Sequence, residues 1–373
     1  MEIKKHQKHT QLIRRENDHF APNEISILGV KCSIISDLVQ KIGKKLQKTS
    51  NLAYLDASHS EALQAPIVDV FTTHHSGILN TNSTTELNAY NERIRFAAYD
   101  LLLINGNHFK GDKQILILDN EKEASVKKRL DQLDRIQFVI KLHEDAKYFD
   151  FLVEKHPTIK NLRCYHIDEI DKIARHIENL IQEKIAPVKG LVLAGGKSTR
   201  MGANKTMLNY HGTSQLNYAT ELLEHNLLET YISVGLDQDT ESKAFIKDSF
   251  FNLGPFGAIC SAFRFDPNKA WCVLATDLPF VTDDLIKLLL QKRNPKKIAT
   301  AIKGKSKEFV EPLITIYEPK AYPVLLSYLA QGYACPRKVL INSDVEIVEV
   351  DDVLIQNINT PEEFEEAIKK INK

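Results

Sequence analysis

Apolar residues along this chain alternate between short unbroken runs and helically spaced stripes. Residues 24–30 (EISILGV) predict a strand. The stretch 32–46 then places apolar side chains at Ile34, Ile35, Leu38, Val39, Ile42 and Leu46, the spacing of a helix. Further strands are expected at 51–56, 67–72, 100–105, 114–118 and 136–142, with helices over 83–98 and 123–133. Residues 167–181 carry Ile167, Ile170, Ile173, Ala174, Ile177, Leu180 and Ile181 on one face and close this series as an amphipathic helix. A second series follows Pro187. It holds strands at 188–193, 230–235, 270–274 and 309–317, and helices over 215–228, from Ala258 onward and over 322–329. Near the end, Thr360, Pro361 and Glu363 spell an N-cap, a first-turn proline and a capping box. Alternating elements of this kind predict α/β sheets.

Length divides the picture. At 373 residues the chain exceeds one ordinary core, so two domains are expected, at 24–182 and 187–373, with 1–23 as a basic N-terminal arm. Lys+Arg and Asp+Glu are equal at 49 each, which removes a bulk electrostatic case for nucleic acid. The five cysteines are scattered and contain no CxxC pair, against both a disulfide framework and a structural zinc site. No run approaches the roughly 18 apolar residues of a membrane span, and the polar N-terminus lacks a secretory core. The expectation is a cytoplasmic protein with no membrane partner.

In the first half, Gly29, Lys31 and Ser33 occupy the position of a P-loop between strand and helix. The full GxxxxGKS/T pattern is absent, and Val30 and Ile34 sit where flexibility is needed, so ATP hydrolysis is not expected there. Two polar clusters stand at strand ends, His74-His75 and Asn105-Gly106-Asn107-His108. The spacing of His74, His75 and His108 does not support a metal, and loop histidines are ordinarily hydrogen-bonded or solvated.

Three stretches of the second half carry candidate chemistry. Residues 191–205 read LVLAGGKSTRMGANK. Small residues (Ala194, Gly195, Gly196) let backbone amides approach an anion, and Arg200 and Lys205 add fixed positive charge where a triphosphate would lie. Asp248 precedes Gly254-Pro255-Phe256-Gly257, a turn that can bring amides against a planar base edge with Asp248 accepting from guanine or ribose. Taken alone, such a turn ahead of a helix is ordinary structure. Asp277 follows the buried strand AWCVL; a carboxylate there is placed to hold Mg2+, which takes hard oxygen ligands, though exposed loop carboxylates are also common.

These motifs carry a resemblance. LAGGKSTRMGANK resembles the signature loop of the MobA-like nucleotidyltransferases, above all the molybdenum cofactor guanylyltransferases, which join the GMP of GTP to the phosphate of molybdopterin. GPFGA is similar to the family's guanine-selecting GPLAG, and DLPF to its metal-binding CDxPF/Y step. Asn204 departs from the family, which has Asp before the lysine. Over 187–373 the resemblance implies a Rossmann-like three-layer nucleotidyltransferase fold, with Mg2+ on Asp277 and GTP and molybdopterin as substrates. It gives catalytic roles to Arg200, Lys205 and Asp277, and nucleotide contacts to Leu193, Ala194, Gly195, Gly196, Lys205, Asp248, Gly254, Pro255, Gly257 and Asp277. Residues 309–317 (FVEPLITIY) match the strand flanking the family's molybdopterin cleft, and Arg337 and Lys338 supply charge for the pterin phosphate.

The first half, through element order and the stretch DLLLINGNHFKG, is similar to the MobB-like adaptor. That implies a P-loop-like α/β sheet with a degraded phosphate loop, serving as a binding or scaffolding module. Molybdoenzymes and other cofactor-pathway proteins are the partners this implies. A molybdopterin cytidylyltransferase or a sugar-nucleotide pyrophosphorylase is the rival within the superfamily, and GPFG speaks against the first. Asn204 and the degraded loop prompt a rival of another class, a non-catalytic cofactor-binding adaptor.

Overall fold

Parallel strands buried on both faces must be apolar on both, and the runs seen in the sequence have that character. The computed structural model describes residues 11–57, 70–83, 87–194, 205–226, 228–235 and 244–371. Two compact units result: residues 16–184, and residues 185–373 joined by 11–15. No helix among the described residues is long and apolar enough to cross a membrane.

The first unit runs β1 (Glu24–Leu28), α1 (Cys32–Leu46), β2 (Leu52–Leu55), β3 (Val70–His75), β4 (Ile78–Ser83), α2 (Ala89–Phe96), β5 (Leu101–Asn105), β6 (Lys113–Leu118), α3 (Glu123–Lys127), β7 (Ile136–Lys141), α4 (Asp150–Lys155), β8 (Cys164–His166) and α5 (Ile170–Gln182). Its sheet is wholly parallel, in the order β2-β5-β1-β6-β7-β8. Alternation sorts the core. Ile115 and Ile117 of β6 face α1 and α5, while Leu116 and Leu118 face α3 and α4. Only Gly29, Val30 and Lys31 separate β1 from α1, too short a link for a phosphate cradle. Gly29 adopts φ +108, and a Cβ there would fall 2.0 Å from the Ile117 carbonyl oxygen, so the turn lies directly on β6.

Two expectations shift. The strand placed at 67–72 begins at Val70 and forms an exposed antiparallel ribbon with β4 outside the main sheet, while residues 58–69 lie outside the described set. The helix placed over 123–133 breaks after Lys127 and resumes as a 3-10 turn at Leu130–Gln132. At the N-terminal edge, the Glu24 carboxylate accepts from the His19, Phe20, Ala21 and Asp112 amides, anchoring residues 19–21 to the first strand.

The second unit runs β9 (Val188–Leu193), α6 (Gln215–His225), β10 (Thr230–Val234), β11 (Phe245–Lys247), α7 (Gly254–Phe265), β12 (Ala270–Ala275), α8 (Asp283–Gln291), β13 (Ala299–Gly304), β14 (Glu311–Tyr317), α9 (Ala321–Ala330), α10 (Pro336–Ile341), β15 (Val345–Val350) and α11 (Pro361–Ile371). The sheet order is β11-β10-β9-β12-β14-β13-β15, with β14 antiparallel to both neighbours. Cys272 and Leu274 of β12 face α6 and α8; Trp271 and Val273 face α7, α9 and α10. Three layers follow from that alternation. Arg15 Nη1 donates to the Pro319 carbonyl at 2.9 Å within this unit.

Candidate nucleotide site

Three parallel strands, β10, β9 and β12, end on the same edge of the second sheet. Register fixes what meets there: Leu193 pairs with Ser233 on one side and Ala275 on the other. Ala194 N donates to Ser233 O at 3.2 Å, and Thr276 Oγ1 donates to Leu193 O at 3.3 Å. Asp277 therefore stands one residue past a direct hydrogen bond to the strand from which the glycine-rich loop departs. The loop itself, including Gly195, Gly196, Arg200 and Asn204, lies outside the described residues. Lys205 opens a short 3-10 turn, Lys205–Met207, and only its backbone is described.

The C-terminal segment completes this edge. Ile358 N donates to Asp277 O at 3.0 Å. Beyond it the capping box forms as its letters indicate: Glu363 Oε2 accepts from Asn359 N at 2.6 Å and Thr360 N at 3.2 Å, while Thr360 Oγ1 accepts from Glu363 N at 3.2 Å. Tyr210 is buried against Phe364 and Ile358. Burial first, and then the carboxylates of Asp277 and Glu363, hold its hydroxyl above the ordinary range. His211 stacks on Tyr218 at 3.7 Å and donates through Nε2 to Pro279 O at 2.8 Å, bracing the loop after Asp277.

The Gly-Pro-x-Gly stretch is not a turn ahead of a helix. It is the first turn of α7, with Leu253 as N-cap and Pro255 in the position where proline suits a helix start. Gly254 takes φ +55, which favours glycine, and Gly257 is required by contact, since a Cβ there would meet Phe250 O at 2.3 Å. Asp248 works inside this turn. Its Oδ1 accepts from Phe250 N at 2.9 Å and Ser261 Oγ at 2.7 Å, while Oδ2 faces Gly257.

On the far side of β12 a cavity of about 730 Å³ is lined by Phe309, Glu311, Arg337, Asn357, Glu363 and Lys370. Arg337 Nη2 sits 3.5 Å from Glu311 Oε2. Glu311 is buried, which raises its pKa; the Arg337 charge and the Leu313 amide act against that rise, and Asp277 adds to it. Lys338 turns elsewhere, its Nζ lying 3.7 Å over the Tyr333 ring. Tyr210, Glu311 and Glu363 were not singled out in the sequence as site residues. Tyr210 comes from a segment with no local motif, Glu363 was read only as a capping-box residue and Glu311 only as part of a strand; Tyr210 reaches this edge through Ile358, which it packs against.

A glycine-led loop leaving a central strand, a carboxylate at the neighbouring strand end and a helix opening with Gly-Pro-x-Gly together define an α/β domain of the nucleotidyltransferase class. Residues 190–346 match the MobA-like NTP transferase domain. A probable molybdenum cofactor guanylyltransferase of Carboxydothermus hydrogenoformans is 31% identical over 193 residues, covering 48% of this chain and 93% of its own. A molybdenum cofactor biosynthesis bifunctional protein of Synechocystis is 30% identical over 183 residues, covering 48% of this chain; the match spans about half, 53%, of that relative. Among solved structures, molybdopterin-guanine dinucleotide biosynthesis protein A of Archaeoglobus fulgidus is similar at 23% identity and TM-score 0.42, covering 49% of this chain and 98% of that one. Bacillus subtilis MobB is similar at 17% identity and TM-score 0.30, covering 41% and 97%. The chain belongs to the MobA-like NTP transferase family.

Proposed function

We propose that the second unit transfers GMP from GTP to the phosphate of molybdopterin and releases pyrophosphate. The observation that carries this reading is register: Ala275 pairs with Leu193, so Asp277 borders the start of the glycine loop. Leu193, Ala194, Gly195 and Gly196 would line the triphosphate, with Arg200 and Lys205 offsetting its charge. Guanine would lie against the first turn of α7, contacted through Asp248 Oδ2 and the backbone of Gly254, Pro255 and Gly257. The cavity beside Glu311 and Arg337 would take the pterin, with the Arg337 guanidinium toward its phosphate.

Mg2+ fits the chemistry of Asp277, a hard oxygen donor at a strand end, although no cluster of three or more His, Cys, Asp or Glu side chains suited to a metal occurs among the described residues. Asp277 would hold it, and when bound it would supply charge neutralisation at the phosphates. An oxygen of the molybdopterin phosphate attacks the α-phosphorus in line. The bond to the bridging oxygen breaks, and pyrophosphate leaves with the electron pair. The side chains bind, orient and shield charge, which is the larger part of catalysis in phosphoryl chemistry. The first unit serves as a binding or scaffolding module without nucleotide hydrolysis, and the chain works in the cytoplasm, where other cofactor-pathway proteins or molybdoenzymes would meet it.

Pyrophosphate release with GTP, Mg2+ and molybdopterin tests the reading. Wild type should turn over, and Asp277→Ala should lose at least about a hundredfold. Equal background release from both proteins would sink the assignment. Faster turnover with CTP than with GTP would move it to the cytidylyl rival.

A further inference from the structure

The first unit holds a cluster that nucleotidyl transfer does not use. Cys32 is the first residue of α1, whose N-cap residue Lys31 offers no side-chain acceptor and whose first turn contains no acidic residue. The positive end of this 15-residue helix is thus left uncompensated by its own sequence. The loop after β5 brings His108 Nε2 to 3.2 Å from Cys32 Sγ. Asn107 Nδ2 fixes the approach by donating to Val30 O at 2.9 Å, and lies 3.5 Å from the sulfur. On the same side of the imidazole, Asp56 Oδ1 lies 3.7 Å from that same nitrogen, His108 Nε2. That carboxylate is itself oriented by Asn105 Nδ2 at 2.8 Å, Ala57 N at 2.7 Å and the Tyr54 hydroxyl at 2.7 Å. Sulfur, imidazole and carboxylate come from the ends of β1, β5 and β2, which are neighbours in the sheet.

The sulfur is only half-buried and opens on a cavity of about 380 Å³, which Lys31, Lys122 and Arg129 also line. The Arg129 guanidinium is anchored by neutral acceptors: Ser125 Oγ at 2.8 Å, Ser125 O at 3.2 Å and Asn107 O at 3.2 Å. Its charge is therefore positioned without being cancelled by those contacts. Elsewhere, Cys260 and Cys272 are buried, which pushes both thiols up to about 12, and Cys164 and Cys335 lie exposed on the surface.

We propose that Cys32 is a nucleophilic thiol that exchanges with small carboxylate-bearing disulfides. His108 is its base, and the wall of Lys31, Lys122 and Arg129 recognises the anion. In the step, His108 Nε2 takes the Sγ proton as the sulfur attacks one sulfur of the disulfide. A new S–S bond forms to the protein, and the old one breaks. The departing thiolate carries away the electron pair and takes the proton back from the imidazolium. Asp56, 3.7 Å from the nitrogen that receives the proton, stabilises the imidazolium by its charge while it exists. The disulfide is the only oxidant consumed.

The test uses the full chain with Cys164→Ser and Cys335→Ser, so that Cys32 is the accessible thiol. Its modification is followed at neutral pH with dithiobis(nitrobenzoate), a dianionic disulfide, and with cystamine, a dicationic one. His108→Gln should slow the reaction with the anionic reagent at least about tenfold. Lys122→Glu, at a half-buried position lining the cavity, should lower the ratio of anionic to cationic rates about tenfold through its charge. Peptide mass analysis of the unsubstituted chain should find Cys32 modified first. The proposal is overturned if Cys164 or Cys335 reacts ahead of Cys32. It is equally overturned if His108→Gln changes the rate less than twofold, or if Lys122→Glu leaves the charge preference where it was.

Discussion

Gly257→Ala isolates a steric requirement at the mouth of α7. An added Cβ would lie 2.3 Å from Phe250 O and 3.2 Å from both Asp248 Oδ2 and Leu253 Cβ. A carbon and a carbonyl oxygen need a little over 3 Å, so the 249–253 turn or the helix must move by about 1 Å. Overpacking of this kind costs about 1–3 kcal/mol, against which alanine returns less than about 1 kcal/mol of helix propensity. The net expectation is about 1–2 kcal/mol, or about 2–8 °C in the melting temperature of a unit this size. Gly254→Ala supplies the comparison. Nothing lies within 4 Å of its Cβ, and only φ +55 opposes the change, at about 1 kcal/mol with the same propensity offset. Thermal melts followed by circular dichroism should place Gly257→Ala clearly below both wild type and Gly254→Ala. Should Gly254→Ala prove the more damaging of the two, the packing argument for this turn is wrong.

Other expectations follow from single contacts. Glu318, almost wholly buried, pairs bidentately with Arg293, at 2.7 Å to Nε and 2.8 Å to Nη2. Glu318→Ala leaves that guanidinium uncompensated and should cost about 3–5 kcal/mol in urea unfolding, while replacing both residues with apolar ones should cost far less. Asp18 has its pKa raised to about 6, first by burial and then by Asp112 and Glu24, with Lys113 and Lys184 opposing. The folded state therefore holds its proton more tightly than the unfolded chain. The stability of the first unit should fall as pH rises from about 4 to about 6, by about 1–2 kcal/mol after allowance for solvent screening. Asp18→Asn should flatten that slope; an unchanged slope would assign it to another group. Thr360→Ala removes one half of the capping box and should cost about 1 kcal/mol in the melt of the second unit, with Thr360→Ser restoring most of it.

The fold was legible where burial is two-sided. β5 opens with the apolar run LLLI, and β6 and β9 close with ILIL and LVL, because helices cover both faces; α1 and α5 show clean stripes because each packs along one side. Elements with weak patterns escaped. β11 is three residues long, and β15, VEIVEV, carries its glutamates at the second and fifth positions, a spacing that matches neither strand alternation nor an unbroken apolar run. The ribbon of β3 and β4 was misplaced because its exposed surface gives no burial pattern to locate it. The position of Asp277 just past the end of β12 was legible because strand and carboxylate are adjacent in the chain. Glu311, at the start of β14, was not, since its partner Arg337 lies in α10 and only tertiary folding joins them. Cys32 and His108 stand 76 positions apart. His108 stood out in the sequence, but nothing local predicts that sulfur is its neighbour.

The bond from Ile358 to the carbonyl of Asp277 has a bearing on biosynthesis. A ribosome makes Asp277 well before Ile358, so the segment around Asp277 lacks this brace until the chain has been extended through Ile358. Chains cut short before Ile358 are consequently expected to hold the Asp277 segment less firmly than the intact fold does.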